Sequence, residues 1–232
     1  MTTLLIATRN AHKVGEIRAL LGAHFELLTL NDFPAAPAVV EDAETFVGNA
    51  LKKADTLANW LGDKSEFKNQ NSKIDFVLAD DSGLEVDVLH GAPGIHSARF
   101  AALDKNENSP DADNNAKLLR LLQGVPLENR TARFRCVLAL VAVPSEKVEV
   151  ASPVCLADEF PSQVFEGACE GVIQFAPNGI NGFGYDPLFV PDGFSQSFAE
   201  LGETVKNRIS HRAKALEKLK KYFYHQDTKS QN

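Results

Sequence analysis

Apolar and polar positions alternate along this chain with two different periods. "TLLIAT" (residues 3–8) is a short unbroken apolar run, which predicts a buried strand. The polar turn "TRNAHK" follows, and then Val14, Ile17, Leu20 and Leu21 recur at helical spacing up to Gly22. "TFVGNALKKADTLANWL" (45–61) places Phe46, Ala50, Leu51, Ala54, Leu57, Ala58 and Leu61 at helical period, with Thr45 set to cap. "GDKSEFKNQNSK" (62–73) has no period and reads as a surface loop. "IDFVLA" (74–79) predicts a strand that ends at Asp80 and Asp81. "DADNNAKLLRLLQGVP" (111–126) predicts a helix closed by Gly124 and Pro126. "ARFRCVLALVAV" (132–143) and "KVEVASPVCLA" (147–157) read as two strands joined by a turn around Pro144 and Ser145. "DEFPSQVFEG" (158–167) reads as a loop, and "GVIQFAPNGINGFGYDPLFVP" (171–191) as strand-like at both ends around a Gly/Asn/Pro centre. "ETVKNRISHRAKALEKLKKYF" (203–223) predicts one final helix. Mixed strands and helices, without an internal repeat or a clean linker, favour an α/β architecture. The expected organisation is a single domain over 1–225 and a polar tail over 226–232.

Composition narrows what such a fold can do. The chain has 232 residues, 44% of them hydrophobic, enough for a sizeable core. Acidic residues outnumber basic ones 31 to 24, and the net charge of −7 argues against a nucleic-acid partner, which calls for a basic face. Three cysteines, Cys136, Cys155 and Cys169, show no C-x-x-C spacing, so neither a disulfide scaffold nor a zinc site is expected. The apolar run from Leu4 to Ala7 is too short for a secretory leader, and "CVLALVAV" is far below a membrane span. The expectation is a soluble cytoplasmic protein with no membrane partner.

Four stretches could carry chemistry, and each has a plainer alternative. "ATRNAHK" is a small, polar loop before a helix, able to offer N–H groups and the Lys13 charge to an anion; it also reads as an ordinary capped helix. "ADDSG" sets two carboxylates side by side on a strand, pointing to opposite faces and so suited to different tasks. One can bind a hard cation such as Mg²⁺, which takes one or two carboxylates and completes its shell with water and phosphates; the alternative is an aspartate turn before Gly83. "NGFGYDP" places Phe183 and Tyr185 on a glycine-rich backbone, where rings can stack on a nucleobase or simply fill the core. "KNRISHRAKAL" gathers Lys206, His211 and Arg212, donors for a phosphate and a base edge, or a solvated helix surface. Together the four make the parts of a nucleoside triphosphate site.

"TRNAHK", "ADDSGLEVDVLHGAPGIHSARF", "FGYDPLF" and "SHRAKAL", in this order, resemble the inosine triphosphate pyrophosphatase family, and within it the bacterial dITP/XTP pyrophosphatases. The resemblance runs from Leu4 to about Leu219. It implies an elongated α/β fold with a central mixed β-sheet flanked by helices, in two lobes with the active-site cleft between them. It also implies a homodimer, a Mg²⁺ requirement, and hydrolysis of ITP, dITP or XTP to the monophosphate plus pyrophosphate, which cleanses the nucleotide pool. Carried over residue by residue, Thr8, Arg9, Asn10, Ala11, His12 and Lys13 form the phosphate loop. Asp81 is the general base and a metal contact, and Ser82 touches substrate. Phe183, Gly184, Tyr185 and Asp186 contact the nucleoside, Lys206 belongs to the binding site, and His211 with Arg212 read the base. Glu41, in "VEDAE" where the family usually has "EETG", is a second metal ligand, and Lys53 meets the triphosphate. Segments 62–73 and 157–166 are longer than the family pattern and read as surface insertions. Two other functions use the same parts: a non-catalytic purine nucleotide sensor, and a pyrophosphatase for other modified nucleotides.

Overall fold

The computed structural model describes residues 1–63, 73–102, 108–144 and 162–229, with side chains to residue 225. In chain order its elements are β1 (Thr2–Ile6), α1 (Ala11–Leu21), β2 (Phe25–Thr29), α2 (Phe46–Asp63), β3 (Phe76–Val86), α3 (Asp111–Leu121), β4 (Thr131–Ala142), β5 (Gln163–Ile173), β6 (Phe189–Pro191), α4 (Phe198–Ile209) and α5 (His211–Lys229). The strands form one six-stranded sheet in the order β2-β1-β3-β4-β5-β6. It is mixed: β1 pairs in parallel with β2 and with β3, whereas β5 and β6 are antiparallel. The chain divides into two compact units, residues 1–81 with 137–165, and residues 82–136 with 166–232.

In the first unit, the run read as a strand at 3–8 supplies β1, whose Leu4, Leu5 and Ile6 are fully buried. Asn10 caps α1 by accepting from the N–H groups of His12 and Lys13, and Gly22 ends it at φ 63°. Val14, Ile17 and Leu21 form the buried stripe of α1. Thr45 caps α2 through a 3.0 Å bond from the Gly48 N–H. The edge strand β2 has no counterpart in the sequence reading; "FELLT" is only half-buried along most of its length and lacks a clear period.

The second unit is built around an aromatic cluster. Phe134 lies 4.7 Å from Phe189, which lies 5.3 Å from Phe198, within a core that includes Leu84, Leu118, Leu122 and Ile173. Here β5 buries Gly167, Cys169, Gly171 and Ile173 at period two. Two glycines on that face are a packing requirement, since a Cβ at Gly167 would lie 2.1 Å from the His211 carbonyl oxygen of α5 and one at Gly171 would lie 2.3 Å from the Val190 carbonyl oxygen.

Several expectations change. β3 does not stop at Asp80 and Asp81 but runs through Ser82 and Gly83 to Val86, so the aspartate turn is excluded. Residues 163–167, expected as loop and partly as an insertion, are the start of β5. The single final helix is two helices: Ser210 takes extended backbone angles and its Oγ accepts from the Ala213 N–H, capping α5. The strand expected at 147–157, Cys155, residues 64–72 and 157–161 of the two expected insertions, and the side chains of the 226–232 tail lie outside the described residues.

Candidate active site

Parallel pairing of β1 with β3 decides what meets at their carboxyl ends. Leu4, Leu5 and Ile6 lie opposite Phe76, Val77 and Leu78, and the Ala7 N–H extends the ladder to the Leu78 carbonyl at 2.8 Å. The loop over residues 7–10 therefore leaves β1 where β3 reaches Asp80 and Asp81, the end of a parallel pair at which α/β proteins bind ligands. Lys13, in the first turn of α1, places Nζ 2.5 Å from Asp80 Oδ1. Lys53, on the buried face of α2, donates to the Asp80 carbonyl at 3.1 Å and pairs with Glu41 Oε1 at 3.0 Å. Its neighbour Lys52 points to solvent and pairs with Asp42, so Lys53 is the lysine of "LKKA" that faces Asp80. Thr8 closes the loop by accepting from the Asn10 N–H at 3.1 Å, while Arg9, Ala11 and His12 are exposed.

Asp81 is buried beside this group. Burial pushes its carboxyl up to about 6, against the pull of the Lys13 and Lys53 cations and a hydrogen bond from Asn49; Glu41 adds to the rise. Its Oδ2 has no hydrogen-bond partner among the described residues. A buried, unpartnered carboxylate oxygen near a second carboxylate suits a hard cation or a water to be deprotonated. Among the described residues, no group of three or more His, Cys, Asp or Glu side chains gathers as a metal cage.

In the second unit the remaining candidates form a connected group. Lys206 and Asp186, both buried, pair at 2.5 Å. The Lys206 ammonium lies 4.5 Å from the Phe183 ring centroid, a cation–π distance, and Asp186 Oδ2 also accepts from the Phe183 N–H at 2.8 Å. Gly182 must be glycine: at φ 76° its Cβ would lie 2.2 Å from Asp186 Oδ2. Gly184 is gripped at both backbone groups, its N–H by Asp111 Oδ2 at 2.6 Å and its carbonyl by Asn115 Nδ2 at 3.0 Å. Arg212 is 1% exposed and donates to Ser82 Oγ at 2.9 Å. The His211 ring stacks on Phe134 at 4.8 Å and 14°.

Tyr185 departs from its expected place. It is a core residue, 3% exposed, whose hydroxyl donates to the Ser97 carbonyl at 2.9 Å. Burial raises its phenol well above the usual range, so it stays neutral. Of the two aromatic rings of this loop, Phe183 is the half-buried one. Ser97 also accepts from the Leu84 N–H at 2.9 Å, so the glycine-rich half of the long central motif braces β3 and Tyr185.

Sequence reasoning missed Asp80 as the partner of Lys13, Asn49 beside Asp81, and the Asp111/Asn115 grip on Gly184. Helical spacing could have exposed two of them, since Asn49 lies four residues before Lys53 and Asp111 four before Asn115.

A model of the Ham1 family matches residues 4–222 of this chain. The chain is 44% identical to a protein named dITP/XTP pyrophosphatase from Desulforamulus reducens, over 97% of this chain and 98% of that one. It is 47% identical to another of that name from Geobacillus kaustophilus, over 94% of this chain and 93% of the relative. Among solved structures, a HAM1 protein from Coxiella burnetii matches with a TM-score of 0.76 at 33% identity, covering 97% of this chain and all of that one.

Proposed function

Because the chain belongs to the Ham1 family, we propose that it is a Mg²⁺-dependent nucleoside triphosphate pyrophosphatase that hydrolyses dITP, ITP and XTP to the monophosphate and pyrophosphate. The observation that carries this reading is Asp81: a buried carboxylate with one unpartnered oxygen, set among Lys13, Lys53 and Glu41, in a chain whose relatives bear that activity's name.

Asp81 takes the proton of a water that attacks the α-phosphorus in line. A carboxyl near 6 is a competent base at neutral pH, and general-base assistance contributes about 10²–10⁴-fold. Lys13 and Lys53 hold the triphosphate; each ammonium has three donors, and the protein contacts described above orient them. Asp81 and Glu41 would hold Mg²⁺, which supplies charge neutralisation on the phosphate oxygens. Thr8 to Lys13 receive phosphate at the N-terminus of α1.

The nucleoside falls to the second group. Phe183 offers a ring for stacking, and Lys206, fixed by Asp186, supports that ring. His211 and Arg212 supply donors for the 6-oxo group of hypoxanthine or xanthine. Adenine has an amino donor there, and a buried donor facing donors costs about 1–3 kcal/mol. In this reading the enzyme works in the cytoplasm as a homodimer, on free nucleotides and not on nucleic acid.

A nucleotide panel incubated with Mg²⁺ tests the reading. ITP should yield IMP and pyrophosphate, with ATP turned over far more slowly. ITP yielding IDP and orthophosphate would sink it, and so would tight binding without turnover. Light scattering should give twice the chain mass of 25.3 kDa.

A further inference from the structure

The loop that carries Phe183 is free to bend by composition, yet it is held. Gly182 and Gly184, on either side of the ring, sit at φ 76° and 63°, and glycine has more backbone freedom than any other residue. From one side, Asp186 accepts from the Phe183 N–H at 2.8 Å. From the other, α3 takes both backbone groups of Gly184: Asp111 Oδ2 accepts from its N–H at 2.6 Å, and Asn115 Nδ2 donates to its carbonyl at 3.0 Å. The two side chains lie four residues apart in α3 and so share one face of the helix. Gly184 is only half-buried, so water could satisfy its backbone groups, and burial alone does not call for these partners. Asn115 even leaves a buried oxygen behind: its Oδ1 has no hydrogen-bond partner among the described residues, which costs stability. What the two side chains supply is immobility.

We propose that Asp111 and Asn115 are positioning residues, which fix Gly184 from α3 and thereby hold the Phe183 ring where the purine stacks. Neither acts on the substrate itself. Released from α3, the two glycines would let the ring sample several positions, and binding would then have to order it. Held in advance, the ring gives its stacking without that loss.

The inference rests on the pyrophosphatase reading, and its test keeps the two apart. Asp111→Ala removes the acceptor for the Gly184 N–H, whereas Asp111→Asn retains an oxygen there. For Asp111→Ala, KM for ITP and the Kd of IMP by calorimetry should both rise about tenfold, with kcat within about threefold. Inhibition by pyrophosphate, which has no base to stack, should stay within about twofold of wild type. Asp111→Asn should remain near wild type in all four. Asp113→Ala is the control: it removes an acidic group from the same first turn, one with no hydrogen bond to Gly184 among the described residues. It should lower the urea midpoint and leave KM unchanged. Should Asp111→Ala fail to fold, Asn115→Asp, which loses the donor to the Gly184 carbonyl, is read by the same split. Exchange of the Gly184 amide hydrogen, followed by NMR, supplies a readout without turnover and should quicken about tenfold or more in Asp111→Ala. IMP and pyrophosphate weakened in parallel would overturn the proposal, as would a KM in Asp113→Ala raised as far as in Asp111→Ala. If the wild type makes no IMP from ITP, the pyrophosphatase reading fails, whereas exchange at Gly184 that stays slow in Asp111→Ala overturns the role of Asp111 whatever the turnover.

Discussion

Asp81 is held in a place that opposes its own charge, and this has consequences for stability as well as turnover. Folding raises its carboxyl from 3.8 to about 6, so the folded state binds a proton more tightly than the unfolded chain. The metal-free protein therefore loses stability as pH rises from about 4 to 6, by roughly 3 kcal/mol at 1.36 kcal/mol per pH unit, and carries that penalty above pH 6. Asp81→Asn should lose about 10²–10⁴-fold in kcat. In EDTA at pH 7.5 the same variant should melt higher than the wild type, and its advantage should shrink as pH falls through 6. Paired melting curves across that range check the sign. An Asn variant less stable than the wild type at pH 7.5 would mean that partners other than Lys13, Lys53 and Asn49 stabilise the Asp81 charge.

β5 and α5 meet with no side chain between them at Gly167, and this close packing sets the position of His211. Gly167→Ala would place its Cβ 2.1 Å from the His211 carbonyl oxygen and 2.7 Å from the Ala215 nitrogen, both backbone atoms that cannot swing away. It should destabilise the fold by about 1–3 kcal/mol and, by displacing the start of α5, raise KM for ITP. Ser210→Ala, which removes only the cap of α5, should cost about 1 kcal/mol with a smaller effect on KM. Urea unfolding and steady-state kinetics on the two variants separate displacement of the helix from loss of its cap. The same helix shows what was legible. Its apolar spacing was readable, but the break at Ser210 was not, because "NRISHRAKAL" keeps helical period on both sides of the cap.

Across the whole chain, sequence order conceals the division into units. The first unit takes residues 1–81 and 137–165, the second the two remaining segments, so neither is contiguous in sequence. Among the described residues, no helix is long and apolar enough to cross a membrane. If the protein takes nucleotides as proposed, product binding must stabilise it by linkage: at a hundredfold excess over Kd, IMP adds about 2.7 kcal/mol, whereas AMP at the same concentration adds much less. Thermal melting with IMP, XMP, AMP and GMP checks this without turnover and ranks the bases directly. Equal shifts for IMP and AMP would remove His211 and Arg212 from base reading.

Most elements and the residue types at the site were legible in the letters, β2 and the cap at Ser210 excepted, because hydrophobic period, capping side chains and glycine punctuation act within a few residues of backbone. Thr45 and Gly22 do in the structure what their positions announce. The partnerships were not. Lys13 finds Asp80 67 residues away, Gly184 finds Asp111 73 away, and Arg212 finds Ser82 130 away. Burial patterns say that a side chain points inward, not which distant side chain it will meet; strand register and helix placement make that choice. That is why Tyr185, one letter from Asp186 and two from Phe183, belongs to the core, and why Asn49, an unremarked amide on a helix, ends beside the carboxylate at the centre of the proposed chemistry.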